Sequence, residues 1–368
     1  MYINVITLQL NCQFSQDNIM RLFKSLTLTI NLLSTITFIA QAKINVVASV
    51  KPVHSLVAAV MEGIGAPVLI VKGAASPHTY ALKPSQAEQI EKADLVFWMG
   101  HSLETFLEKP LESLASKAMV VELMDSHGLK KLEMREGGGF DEHDHDDHDE
   151  GDHKEHDEHD EHDDHDEDGH KEHEDHSEEE HDNHAEESHD DHGHGKFDVH
   201  VWLDPENAKV MANEIMEALK KVDPGNANKY ETNTKKVVEK LNRLVAEVSA
   251  KLATAKGKGF VVFHDAYQYF EERFGLKAVG SITVSPEVTP GVKRIKELKT
   301  KIKELNALCV FSEPQFKPKL VSTVVEGTKA KTGVLDPLGA SIQNGPKLYF
   351  ILIRDMANSL NKCLSKKA

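Results

Sequence analysis

The sequence predicts an α/β protein of two lobes, each a parallel sheet flanked by helices, with one long helix joining them. Three observations carry that prediction. Short β-branched runs alternate with amphipathic stretches, a βαβα order that buries a parallel sheet on both faces. A single amphipathic stretch over 226–255 separates two such series. A tract of almost nothing but Asp, Glu and His interrupts the first series and lacks the apolar residues that folding needs.

In the first series Ile44–Val50, Pro67–Val71, Asp94–Met99 and Ala118–Leu123 read as strands, with Val53–Met61 and Ser85–Ala93 as helices between them. After the tract, Val199–Leu203 (VHVWL) reads as a strand whose alternation sets His200 on the face opposite Val199 and Val201. Glu206–Val222 reads as a helix stopped by Asp223-Pro224-Gly225. From about Asn226 to Ala255, residues Val238, Leu241, Val245, Val248 and Leu252 recur at three- and four-residue steps and form one apolar face. Such a helix runs about 45 Å, enough to cross from one lobe to the other. Gly257 and Gly259 end it. The alternation then resumes with strands at Phe260–Phe263, Leu276–Val284, Leu308–Ser312 and Thr332–Leu335, and a final helix near Lys347–Leu364. The expected organisation is a leader over 1–42, a first lobe over 43–224 with a disordered loop at 137–195, a linking helix over 225–256 and a second lobe over 257–368.

The leader reads as a cleavable export signal. Arg21 and Lys24 precede a Ser/Thr-diluted apolar run, Leu26–Ala40, and Ala40-Gln41-Ala42 supplies a small-x-small site, so cleavage is expected after Ala42. The run is short for a membrane span, the alternative being an uncleaved anchor. Met20 stands where a signal begins, which makes residues 1–19 candidates for a mis-assigned start. Cleavage removes Cys12, which Asn11 already excludes from a lipid-anchor motif, and leaves Cys309 and Cys363. A lone pair in an exported chain is a disulfide candidate, two buried thiols being the alternative; an oxidising compartment favours the bridge.

The tract holds 16 of the chain's 22 histidines, many at three-residue spacing. From Asp141 to Gly195 it sets 29 acids against Lys154 and Lys171, a net −27 in a chain of −17, so the remainder carries +10. Disorder is expected, because too little apolar surface is available to offset the entropy of ordering. Interleaved imidazoles and carboxylates suit borderline transition metals. His143, His145, His148, His153, His156, His159, His162 and His165 are therefore candidate weak metal sites, a solvated acidic loop being the bland alternative. No basic cluster suggests a nucleic-acid footprint.

Six histidines lie outside the tract: His54, His78, His101, His127, His200 and His264. His78 and His264 follow strands of different lobes, and open α/β sheets bind ligands beyond the carboxyl ends of their strands. Around these positions stand Ser49-Val-Lys-Pro-Val-His54, Gly73–Pro84 (GAASPHTYALKP), Ala93–Gly100 (ADLVFWMG), His200-Val-Trp-Leu-Asp-Pro205, Phe263–Phe270 (FHDAYQYF), Phe311–Phe316 (FSEPQF) and Leu335-Asp-Pro-Leu-Gly339. In these motifs, which run in order over nearly the whole mature chain, the sequence resembles the cluster A metal-binding receptors of ABC transporters, in particular the zinc-specific ZnuA type.

The resemblance implies two lobes on a rigid helix with metal in the cleft between them. It also implies an acidic His-rich loop and a late disulfide. Carried over by motif, His78, His200 and His264 are ligands, and Asp336 stands where many relatives supply a carboxylate. This chain has Pro77 where some zinc members place a ligating Glu, so the fourth position falls to Asp336, water or a tract residue, in that order. Manganese and iron members carry a carboxylate at the position of His264, and three neutral imidazoles with one oxygen suit zinc better than manganese. His54, His101 and His127 are expected to be surface or packing residues.

Capture rather than catalysis is the expected chemistry. A closed four-ligand shell suits a carrier, whereas a catalytic zinc keeps an open position. The chain lacks HExxH and a Walker A loop. The expectation is a monomeric periplasmic Zn²⁺ receptor serving the permease and ATPase subunits of an importer. The alternatives are a manganese or iron receptor of the same fold, a periplasmic zinc buffer and a zinc hydrolase.

Overall fold

A computed structural model describes residues 44–135, 140, 196–283, 286, 290–304, 307–317 and 319–365. The expected leader with its cleavage site at Ala42, the eight candidate tract histidines and, apart from Phe140, the expected loop at 137–195 lie outside the described residues.

Four strands make the first sheet: β1 (Val46–Ala48), β2 (Val68–Leu69), β3 (Leu95–Trp98) and β4 (Met119–Glu122). All pair in parallel, in the order β2-β1-β3-β4. Between β1 and β2 runs α1 (Lys51–Val60), with Pro in its first turn, where a missing N–H costs nothing. Every residue of α1 is buried. Helices α2 (Pro84–Glu91) and α3 (Glu108–Leu114) follow, and α4 (Pro205–Val222) comes after the tract. The Asp204 carboxylate caps α4 by accepting the Glu206 amide at 2.8 Å.

The long helix α5 spans Ala227–Leu252, about 39 Å at 1.5 Å per residue. It packs along α4 and α1. Its buried seam is Val237, Leu241, Leu244, Val248 and Leu252; Val238 and Val245, which the periodicity assigns to the face, sit at its half-buried margin.

The second lobe comprises β5 (Phe260–His264), α6 (Gln268–Phe274), β6 (Ala278–Thr283), α7 (Val292–Glu304), β7 (Cys309–Ser312), α8 (Lys319–Val325), β8 (Lys331–Val334) and α9 (Leu348–Leu364). Its sheet is again parallel, in the order β6-β5-β7-β8, so both lobes share one strand permutation. Alternation along β5 splits its side chains between two cores. Phe260 and Val262 join the core that continues into the first lobe, while Val261 and Phe263 pack with Leu298, Ile302, Val321 and Val324 under α7 and α8. Cys309 and Cys363 form a disulfide that fastens β7 to the last turn of α9. No helix among the described residues is long and apolar enough to cross a membrane.

One element differs in kind from the sequence expectation. Val199–Leu203 is not a strand; Val201–Leu203 form a 3₁₀ turn and His200 precedes it at φ −83°, ψ 34°. The Asp198 carboxylate accepts the His200 amide two residues on, at 3.0 Å, and bends the chain out of an extended path. All five residues are buried, so no alternation between an inner and an outer face exists here.

Candidate metal centre

Strand order decides where ligands converge. In each sheet the chain leaves its first strand in one direction and returns to pair on the other side, and the crevice at such a switch point receives ligands. In the second sheet that point lies between β5 and β7. His264 is the last residue of β5, and Glu313 directly follows β7. The His264 Nδ1 lies 2.8 Å from Glu313 Oε1, with the carboxylate side chain 1% exposed.

His200 is held in the same way. Its Nδ1 lies 2.7 Å from Asp198 Oδ1, and that oxygen also accepts the His200 amide. A carboxylate at Nδ1 holds the ring proton there and leaves Nε2 as the free lone pair. The two Nε2 atoms lie 3.3 Å apart. His78, in the 3₁₀ turn Pro77–Thr79, brings its Nε2 to 3.4 Å from that of His200. The three ligand atoms all fall within 4.8 Å of one another, and among the described residues they are the one group of three or more His, Cys, Asp or Glu able to hold a metal.

A pocket lined also by Pro77, Gln315, Pro337 and Leu338 surrounds the triad. Trp202 and Phe316 set aromatic walls against His200 and His264, with ring centroids 5.2 and 5.9 Å away. Trp202 is fixed in turn by its indole N–H, which donates to the Pro337 carbonyl at 2.9 Å. Burial, reinforced by the neighbouring His200 and His264, pushes the His78 pKa down to about 2, so this imidazole stays neutral. Burial also works against charge on His264, but the Glu313 carboxylate outweighs it and raises that pKa above the ordinary histidine value.

Asp336 is not gathered with the imidazoles. Its Oδ1 accepts the Leu338 and Gly339 amides at 3.1 and 2.9 Å and the Gln315 side-chain amide at 3.0 Å, while Oδ2 accepts the Ala340 amide at 2.6 Å. Backbone donors of its own turn thus take up the carboxylate that the resemblance offers as a ligand. The remaining histidines lie apart: His54 is buried against the Pro67 carbonyl, His101 sits 3.7 Å from both Glu108 and Glu122, and His127 is exposed. Sequence reasoning assigned no role to Asp198 or Glu313. Asp198 carried a local signal, an Asp two residues before a His, but Glu313 becomes visible only once β7 is known to pair with β5.

Two parallel-sheet lobes sharing one strand order, with imidazoles from both converging on one point, define a two-lobed metal receptor. The profile of the family described as zinc-uptake complex component A, periplasmic, matches residues 46–363, and the chain belongs to that family. It is 59% identical over 321 residues to the high-affinity zinc uptake system protein ZnuA of Brucella suis biovar 1 (strain 1330), covering 87% of this chain and 92% of the relative. It is 42% identical to the protein of the same name from Haemophilus influenzae, covering 88% and 94%. Among solved structures it superposes on a crystal structure of ZnuA with a TM-score of 0.65 at 22% identity, covering 87% of this chain and 99% of that one. The laminin-binding adhesin of Streptococcus agalactiae shares the fold equally well, with a TM-score of 0.65 at 24% identity and the same coverage.

Proposed function

We propose that this chain is a periplasmic receptor that captures Zn²⁺ with His78, His200 and His264 and delivers it to the permease and ATPase subunits of an ABC-type importer. The observation that carries this reading is the convergence of three Nε2 atoms within 4.8 Å, two of them oriented by buried carboxylates. Relatives named as high-affinity zinc uptake proteins support zinc as the cargo. Water supplies the fourth ligand in this reading, since Asp336 is occupied by its own turn. The protein acts as a monomer with lobes over 43–224 and 257–368 on the helix 225–256, after loss of residues 1–42. The His-rich tract is an auxiliary collector that raises the local zinc concentration beside the cleft.

Competitive zinc titration of wild type, a tract-deleted protein and His264→Ala tests the proposal. Tight one-to-one binding should survive tract deletion and vanish in His264→Ala. Loss on tract deletion instead would identify a buffer. Three protein ligands with an open fourth position also occur in catalytic zinc sites, which gives a hydrolase reading one specific support. Asp198 and Glu313 each set one oxygen on an imidazole Nδ1, the arrangement of groups that orient metal ligands, and this favours the receptor reading. Metal-dependent turnover of ester or β-lactam substrates would establish the hydrolase.

A further inference from the structure

Outside the pocket, one guanidinium ties together the elements that carry two of the three imidazoles. Arg135 Nε donates to Asp265 Oδ2 at 2.9 Å and Nη2 to the other oxygen of the same carboxylate. Nη1 and Nη2 also reach Glu271 Oε2 and Oε1 at 3.0 and 3.1 Å. Asp265 is the residue after His264, and Glu271 lies in α6. The Phe140 ring covers the guanidinium with its centroid 3.7 Å away, and the three charged side chains are only 21%, 11% and 5% exposed.

Arg135 belongs to a short antiparallel ribbon. Glu133 bridges to Phe197, the Met134 amide donates to the Lys196 carbonyl at 3.0 Å, and the Asp198 amide donates to the Leu132 carbonyl at 2.8 Å. The returning strand therefore ends on Asp198, whose carboxylate orients His200. Tyr269 of α6 clasps both strands, accepting the Leu132 amide at 2.9 Å and donating to the Asp198 carbonyl at 2.8 Å. One side of the clasp leads to His200 and the other to His264.

We propose that Arg135 is a positioning residue for the metal centre: by clasping Asp265 and Glu271 it holds the ribbon that carries Asp198 against the element that carries His264. It thereby sets zinc affinity and release without touching the ion. This rests on the site assigned under the proposed function. Desolvation offsets much of the attraction in a buried ion cluster, so such clusters are weak sources of stability, but a bidentate guanidinium fixes geometry sharply. Loss of groups that orient ligands lowers metal affinity by about 10- to 100-fold, and a group one step further out should fall near the lower end, about tenfold.

The test uses the full chain with Zn²⁺ in chelator competition and stopped-flow release, and Co²⁺ as a spectroscopic probe of ligand geometry. Arg135→Met leaves two buried carboxylates unpaired and risks misfolding, so the triple variant Arg135→Met, Asp265→Asn, Glu271→Gln is made beside it. The triple variant should stay folded, bind Zn²⁺ about tenfold more weakly, release it correspondingly faster and shift the visible Co²⁺ spectrum. Arg135→Lys, which keeps the charge but not the fork, should fall between. Zinc affinity, release rate and Co²⁺ spectrum all matching wild type in the triple variant would overturn the inference. Wild type and His264→Ala are run in parallel: tight zinc binding retained by His264→Ala would remove the site reading, and this inference with it. A normal His264→Ala loss with unaltered Arg135 variants would remove this inference alone.

Discussion

Replacing Glu313 by Gln asks how much of the zinc affinity comes from the carboxylate that orients His264. The carboxylate lies 2.8 Å from His264 Nδ1 and is 1% exposed, so solvent does little to screen it. A zinc ion on Nε2 stands about 2 Å beyond the far side of the ring, roughly 7 Å from the carboxylate. At an effective dielectric constant of 20, a divalent charge there gains about 5 kcal/mol from Glu313. A Gln side chain in the same place still accepts the Nδ1–H, and that retained hydrogen bond together with relaxation around the altered site returns about half the gain. About 2 kcal/mol is left, or about 30-fold in affinity, inside the range measured when groups that orient metal ligands are lost.

The sign of the pH effect follows. Glu313 raises the His264 pKa, so in wild type the proton competes with zinc at higher pH than an ordinary histidine would allow, and affinity falls as pH drops through that raised value. In Glu313→Gln the affinity should be about 30-fold weaker at pH 7.5, and its decline with acid should begin at lower pH. Chelator competition at half-unit steps from pH 5.5 to 8 measures both effects. A variant binding within twofold of wild type at pH 7.5, with an unmoved pH profile, would refute the electrostatic argument.

Three further outcomes are expected. Asp336→Asn should keep zinc affinity within about threefold while lowering stability by about 1–3 kcal/mol, because its carboxylate holds backbone amides; denaturant melts and chelator competition separate the two. Glu104 is fully buried, and burial lifts its pKa to about 7 against the pull of the Met99 and Gly100 amides. The folded state therefore holds a proton that the unfolded chain releases near pH 4.5, and stability from this group is present below that value and lost as pH rises to about 7. Glu104→Gln should accordingly raise the Tm relative to wild type at pH 8 and leave it nearly unchanged at pH 5; equal shifts at both would exclude a buried proton. Reducing the Cys309–Cys363 bridge, which closes 54 residues, should cost about 4 kcal/mol, measured as a fall in denaturation midpoint on adding dithiothreitol.

How far the site was legible depended on the range over which each signal acts. His78, His200 and His264 stand in contiguous motifs, so a linear reading reaches them. The β-branched runs likewise point to both parallel sheets, because burial on two faces writes itself into the inner strands β1, β3, β5 and β7, whereas the edge strands β4 and β8 are half-buried or exposed. VHVWL misled for a local reason: its hydrophobic pattern matches a strand, but Asp198 competes for the His200 amide and turns the chain. The hydrogen bonds of Asp336 were not legible in its motif, although the amides of Leu338, Gly339 and Ala340 that its carboxylate accepts follow it within four residues. Glu313 stands inside the FSEPQF motif, but its role and that of Arg135 were out of reach, because their partners lie 49 residues and about 130 residues away in sequence and meet only through sheet order and the ribbon.

The two carboxylates also bear on why the site should take a divalent cation. Three neutral imidazoles alone would offer lone pairs without charge, and burying a doubly charged ion among them would leave its charge uncompensated. Asp198 and Glu313 supply two negative charges one ring away, each attached to a ligand through Nδ1. A bound Zn²⁺ with these two carboxylates sums to zero, whereas a monovalent ion leaves a residual negative charge and a trivalent ion a positive one. Keeping the carboxylates off the metal preserves an imidazole first layer, which suits zinc over manganese. The charge balance thus favours a 2+ ion and the donor atoms favour a borderline one, and these selections act through different residues. Asn at position 198 or Gln at 313 should therefore weaken all divalent ions together, while a carboxylate in place of His264 should change the order among them.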